Sequence, residues 1–95
     1  MKKKYYYGNH LIRTSERDYE YAVINEYASG KITVRGCHGT YQNACKRKAF
    51  EEDYWFGCIR WANNSDDLDP AKRSQLINDY DNEINTLKIV RIEAR

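Results

Sequence analysis

This chain of 95 residues has one proline, one methionine, two phenylalanines, two histidines and three cysteines. Each scarcity excludes something. No apolar run approaches the roughly 18–20 residues needed to span a bilayer. Lys2-Lys3-Lys4 is followed by Tyr5-Tyr6-Tyr7-Gly8-Asn9-His10, which is not the apolar core of a secretion signal. Cys37, Cys45 and Cys58 are odd in number and have no paired spacing, so neither a disulfide framework nor a closed zinc tetrahedron is expected. These absences predict free thiols, a cytoplasmic setting, and no membrane, metal or cofactor.

Catalytic patterns are equally thin. His38-Gly39-Thr40 has the form used by two-histidine phosphoesterases, but His10-Leu11-Ile12 does not supply the second copy. There is no Gly-x-Ser-x-Gly elbow and no nucleophile in a recognisable setting. Asp79-Tyr80-Asp81-Asn82-Glu83 opens like a calcium loop, but Ile84 stands where the glycine belongs and Val90 where the final glutamate belongs. No catalytic residue is assigned. A small ribonuclease built from dispersed Tyr, Arg and His stands third among the functional readings.

What the chain does have is tyrosine and patterned charge. Nine Tyr and two Trp dominate the aromatics, side chains that suit half-buried faces and binding surfaces because each has an apolar body and a polar tip. The net charge is only +2, yet it is unevenly laid out. Residues 1–48 carry ten Lys/Arg against four Asp/Glu, and residues 49–95 carry six against ten. A chain this short makes one domain, residues 1–95, and buries about 60–65% of its unfolded surface.

The pattern predicts an α+β domain in the order ββββααβ: an antiparallel meander of about four strands, two helices on one side, and a C-terminal strand added to the sheet. Gly8-Asn9 suits a tight hairpin turn between Tyr5–Tyr7 and His10–Thr14. Tyr19 to Glu26 alternates, with Tyr19, Tyr21 and Val23 on one face and Ala22 and Ile24 on the other. Lys31 to Cys37 alternates again, with Lys31, Thr33 and Arg35 on one side. Thr40 is the expected N-cap of a long helix, and Asp69 followed by Pro70 the start of a second. The first helix has two apolar stripes. Tyr41, Ala44, Cys45, Trp55, Phe56, Ile59 and Ala62 form one, and Phe50, Tyr54, Cys58 and Trp61 lie nearly opposite. Leu76, Ile77, Tyr80 and Ile84 give the second helix a narrow stripe, and Leu87 to Ala94 reads as the last strand.

Two surfaces follow as candidates. The first is acidic and aromatic: Glu51, Glu52 and Asp53, Asp66 and Asp67, Asp79, Asp81 and Glu83, with Tyr54 and Trp61. Carboxylates spaced along helices can occupy a basic groove that otherwise holds phosphates, and exposed aromatics add burial. The second is basic: Lys31, Arg35, Lys46, Arg47 and Lys48, near the Gly36–Gly39 turn and interleaved with tyrosines. Such a face would neutralise phosphates and stack bases.

Two resemblances attach to these features. Three strands and a helix over residues 10–62, with Gly39-Thr40-Tyr41 and Ala44, resemble the sheet-reading DNA-binding domains at the N-termini of some phage integrases and in AP2 factors; this implies nucleic acid as partner. The whole chain, with its meander, acidic helices, many tyrosines and no catalytic constellation, resembles the small accessory proteins of phages and mobile elements, anti-CRISPR proteins among them. This likeness is one of style and assigns no residue. It implies a non-enzymatic inhibitor in a bacterial host cell, binding a host protein or nucleoprotein complex of the defence machinery through the acidic, aromatic helical surface. That reading ranks first, and the nucleic-acid-binding module second.

Overall fold

The structure is a computed structural model that describes residues 1–95. Gly8, at φ 57°, makes the two-residue turn between β1 (Lys3–Tyr7) and β2 (His10–Ser15). Gly30, at φ 91°, turns β3 (Tyr21–Glu26) into β4 (Ile32–His38). Thr40 then caps α1 (Tyr41–Asn64), its hydroxyl accepting from the Asn43 amide at 3.2 Å. Asp69 caps α2 (Pro70–Thr86) by accepting from Lys72 N at 2.8 Å, with Pro70 in the first turn where a missing N–H is harmless. The chain ends in β5 (Leu87–Arg91) and β6 (Glu93–Ala94).

The class is α+β, as the pattern predicts, but the strands do not form one meander. There are two three-stranded antiparallel sheets, ordered β2-β1-β6 and β4-β3-β5. The C-terminal segment belongs to both. It pairs with β3 along Leu87–Arg91, turns at Ile92, and pairs with β1 at Glu93 and Ala94. Ile92 is 6% exposed and its amide donates to Glu20 O at 3.0 Å, so the corner itself is tied down. A single sheet would have left one face of β3 for solvent. This chain instead covers both.

From Tyr21 onward the alternation along β3 is the one read from the sequence, but Tyr19, expected on the face of Val23, precedes the strand and packs with Tyr5 in the opposite cluster. Ala22 and Ile24 face the first sheet in a cluster with Tyr5, Cys37 and Ile92, and Val23 faces α1 with Ala44 and Leu87. Tyr5 lies wholly inside, its hydroxyl donating to Arg17 O at 2.7 Å and accepting from Tyr19 N at 3.2 Å, so its polar tip is satisfied. The order of layers is sheet, sheet, helices.

Asn25 is the one polar side chain wholly enclosed in β3, and it fastens α2. Its amide donates to Glu83 O at 2.8 Å and to Thr86 Oγ1 at 3.1 Å, and its carbonyl accepts from Arg35 Nε at 2.6 Å. The register between β3 and β4 shifts between Val23 and Ile24, leaving Arg35 as the extra residue between Gly36 and Val34. Such a bulge re-aims a side chain. Arg35 turns inward, pairs with the Glu83 carboxylate at 3.0 Å and lies over the Trp55 ring at 5.9 Å.

The molecule is long for its mass. Its extents are 52 × 26 × 17 Å and its radius of gyration is 16.0 Å, against about 12–13 Å for a compact chain of this length. The cause is α1, whose 24 residues span about 36 Å. Its first turns pack on the second sheet through Ala44, Arg35 of β4 reaches as far as Trp55, and beyond that only α2 accompanies it. The two helices form an arm. At its tip Arg73 donates to Ala62 O at 3.0 Å and Ser65 O at 2.8 Å, carbonyls at the end of α1, and to Leu68 O at 3.2 Å in the loop that follows.

Replacing Asn25 by Leu fits the volume but strands a half-buried guanidinium N–H and the Glu83 carbonyl. The expected loss is about 2–3 kcal/mol of unfolding free energy, measured by urea titration, and protection of α2 amides from hydrogen exchange should fall before that of α1. Wild-type stability in this variant would remove Asn25 as the fastening of α2.

Candidate functional site

The ten residues of the acidic, aromatic surface separate into two groups in the fold. Glu51 is 8% exposed, and its carboxylate takes Arg47 Nε and Nη2, each at 2.9 Å. Glu52 pairs with Lys48 at 3.3 Å. Glu83 holds Arg35 and accepts from the Tyr27 hydroxyl at 2.8 Å. These three carboxylates are thus engaged inside the molecule, and Glu51 is not on its surface. Asp53, Asp66, Asp67, Asp79 and Asp81 are exposed and make no ion pair within the chain.

The basic alternative divides along the same line. Arg35, Arg47 and Lys48 are the partners of Glu83, Glu51 and Glu52. Lys31 and Lys46 alone of that set are exposed and unpaired. The two charge poles of the sequence therefore interlock in space. The pairs along α1 are four residues apart, the spacing that puts side chains on one helix face. Arg35 and Glu83 are 48 residues apart, which no local pattern could join.

Of the aromatic stripe, Tyr54 is 59% exposed, Trp61 55% and Phe50 65%. Cys58, on the same stripe, is half-buried. The opposite stripe is only partly covered. Ala44 and Ala62 are enclosed and Trp55 lies against Tyr80, with ring centroids 5.8 Å apart, but Tyr41 and Phe56 are exposed. The arm therefore presents Phe50, Tyr54 and Trp61 along one side, and unpaired carboxylates at its tip and on α2.

Elsewhere, the chemistry is modest. An open groove of about 370 Å³ between α1 and β5 is lined by Tyr41, Cys45, Lys48, Glu52, Lys88 and Ile89. Its charges are matched, Lys48 by Glu52 and Lys88 by Glu26. No three His, Cys, Asp or Glu side chains converge as metal ligands. Cys37 is buried, which pushes its thiol up from the ordinary range. His38 ends β4 with Nε2 enclosed and unpartnered. Burial, then the charges of Arg47 and Arg13, holds its imidazole below the usual histidine value. Gly36 makes room for that ring, since a Cβ there would sit 3.0 Å from His38 Nε2.

The fold and surface define the class: an α+β protein with a three-layer body and a protruding two-helix arm. No protein-family model matches the chain, and no curated protein and no solved structure matches it.

His38 gives the body a pH dependence of known sign. Its neutral form is favoured on folding, so the unfolded chain binds a proton first as pH falls. Its contribution is complete above the unfolded pKa of about 6.5 and is lost below it. Melting temperature should decline between about pH 7 and pH 5.5, and His38→Gln should flatten that decline. An unchanged slope in His38→Gln would assign it to other groups.

Proposed function

We propose that the chain is a non-enzymatic binding protein whose working surface is the helical arm. In the manner of the mobile-element accessory proteins it resembles, it inhibits a host defence nucleoprotein by occupying a basic groove. The observation that carries this reading is the position of the unpaired carboxylates. Asp66, Asp67, Asp79 and Asp81 lie on the arm that reaches away from the body, free of internal partners, while the cations of the basic set are mostly consumed by ion pairs. Aspartates held on helices and a capped tip lose little further freedom on binding, and a groove that binds phosphates offers them complementary charge. The aromatic side of the arm supplies the apolar area that an interface on it needs.

Expressed in bacteria whose RNA-guided nuclease targets a phage, the protein should restore plaque formation in at least one host of a panel of such systems. Asp79→Lys with Asp81→Lys should abolish that rescue, since reversing charge at a desolvated contact costs about 2–5 kcal/mol. Both side chains are exposed, so the variant should melt like the parent. If labelled DNA or RNA is shifted by the protein at low salt, and replacing Lys46, Arg47 and Lys48 by Gln abolishes the shift while the aspartate variant is normal, nucleic acid is the partner and the acidic surface is not.

A further inference from the structure

Along the outer side of α1, Phe50, Tyr54, Gly57 and Trp61 are spaced four, three and four residues apart. This is the spacing of a coiled-coil seam. The three aromatics are more than half exposed, so nothing in the chain itself covers the seam. Gly57 stands in the middle of a 24-residue helix, where glycine is about 1 kcal/mol worse than alanine. The chain's own packing does not call for it: a Cβ at this position would meet only the end of the Arg60 side chain, at 3.7 Å. A glycine with no use in the monomer fits a close approach by something outside it.

The geometry points to a second copy of this chain as the occupant, with the two α1 helices antiparallel about a two-fold axis between Tyr54 and Gly57. In that register every seam position meets a complementary one. Phe50 lies against Trp61 of the second copy, and Tyr54 fills the space left by its Gly57. The flanking positions agree in charge. Asp53 comes opposite Arg60 and, by symmetry, Arg60 opposite Asp53, both exposed and unpaired in the single chain. One heptad earlier, exposed Lys46 comes opposite the Asp66–Asp67 tip of the other arm. A parallel pair does none of this. It stacks Gly57 on Gly57 and Trp61 on Trp61, and sets Asp53 across from Cys58. The exposed parts of the three aromatics amount to about 350 Å² per copy. Two copies with their flanks reach the roughly 1,000 Å² that a specific interface needs.

This inference rests on the arm being the interaction surface, and it names what the aromatic side of that arm meets. In the dimer Asp66 and Asp67 face Lys46 of the second copy, so the carboxylates left for a basic groove are Asp79 and Asp81 on α2, outside the seam and its flanks and presented twice.

Sedimentation equilibrium of the purified chain at about 100 μM should give a dimer that dissociates on dilution. Asp53→Arg or Arg60→Asp alone should raise the dissociation constant at least about tenfold, because symmetry places each change at two contacts. The double exchange, Asp53→Arg with Arg60→Asp, should restore it to within about threefold. Gly57→Ala separates the interface from helix propensity. It should raise the melting temperature of the dilute monomer and weaken the dimer, effects of opposite sign. A monomer at 100 μM, a double exchange no better than the singles, or a Gly57→Ala dimer as tight as the parent's would each overturn the proposal. These readings use the purified chain alone, so a monomer that still restores plaques refutes the dimer and leaves the arm's function standing. A dimer that restores none does the reverse.

Discussion

β3 is enclosed on both faces, with Ala22, Val23, Ile24 and Asn25 all within the core, and the remaining architecture is arranged around covering it. A strand buried on one face only would need one layer; this one needs two. The first sheet supplies one cover and α1 the other. The polar group that β3 carries inward, Asn25, must then be satisfied by whatever reaches it, because an unpaired amide there would cost about 1–3 kcal/mol. Glu83, Thr86 and the bulged Arg35 reach it. Burial thus fixes where the end of α2 lies.

A small chain that places its central strand inside has little apolar material left. The enclosed side chains belong to the strands, to Ala44, Glu51 and Ala62 of α1, and to Leu87 and Ile92 near the C-terminus. No residue of α2 is fully buried. The arm is held by its caps, by the Arg73 fork across the tip, and by the Trp55–Tyr80 contact. The same thinness that leaves aromatics exposed on the arm makes it the part of the molecule available to other chains. Body and arm are thus two outcomes of one shortage.

Charge is distributed by a different rule. Several cations and anions close to the body neutralise one another, as Arg47 does Glu51 and Arg35 does Glu83, while Lys31 and Lys46 there stay free. At the tip Asp66 and Asp67 stay unpaired and in water, as do Asp79 and Asp81 on the exposed side of α2 near its docked end. A surface ion pair contributes little to stability, so an unpaired exposed aspartate costs the fold little. An acidic arm can therefore be altered by charge reversal without unfolding the body, which makes its function separable from its stability.

The amino-acid sequence by itself determined what depends on neighbours in the chain. Thr40, Asp69 and Pro70 mark the helix starts because capping is a matter of three or four residues, and Gly8 marks a turn because φ is a property of one. The faces of β3 from Tyr21 onward followed from alternation, and the two apolar stripes of α1 from helical period, while which stripe stays exposed was set by what packs on the helix. Only the tertiary structure decided which elements share a sheet, because two sheets and one sheet have the same alternation and differ only in what lies across the strand. It alone turned Arg35 and Glu83 from surface charges into a half-buried pair, since their meeting depends on a bulge in β4 and on the docking of a helix 48 residues away. The split of the C-terminal strand at Ile92 belongs to the same kind. A residue at a corner has no local signal, and its place is set by the two sheets it must join.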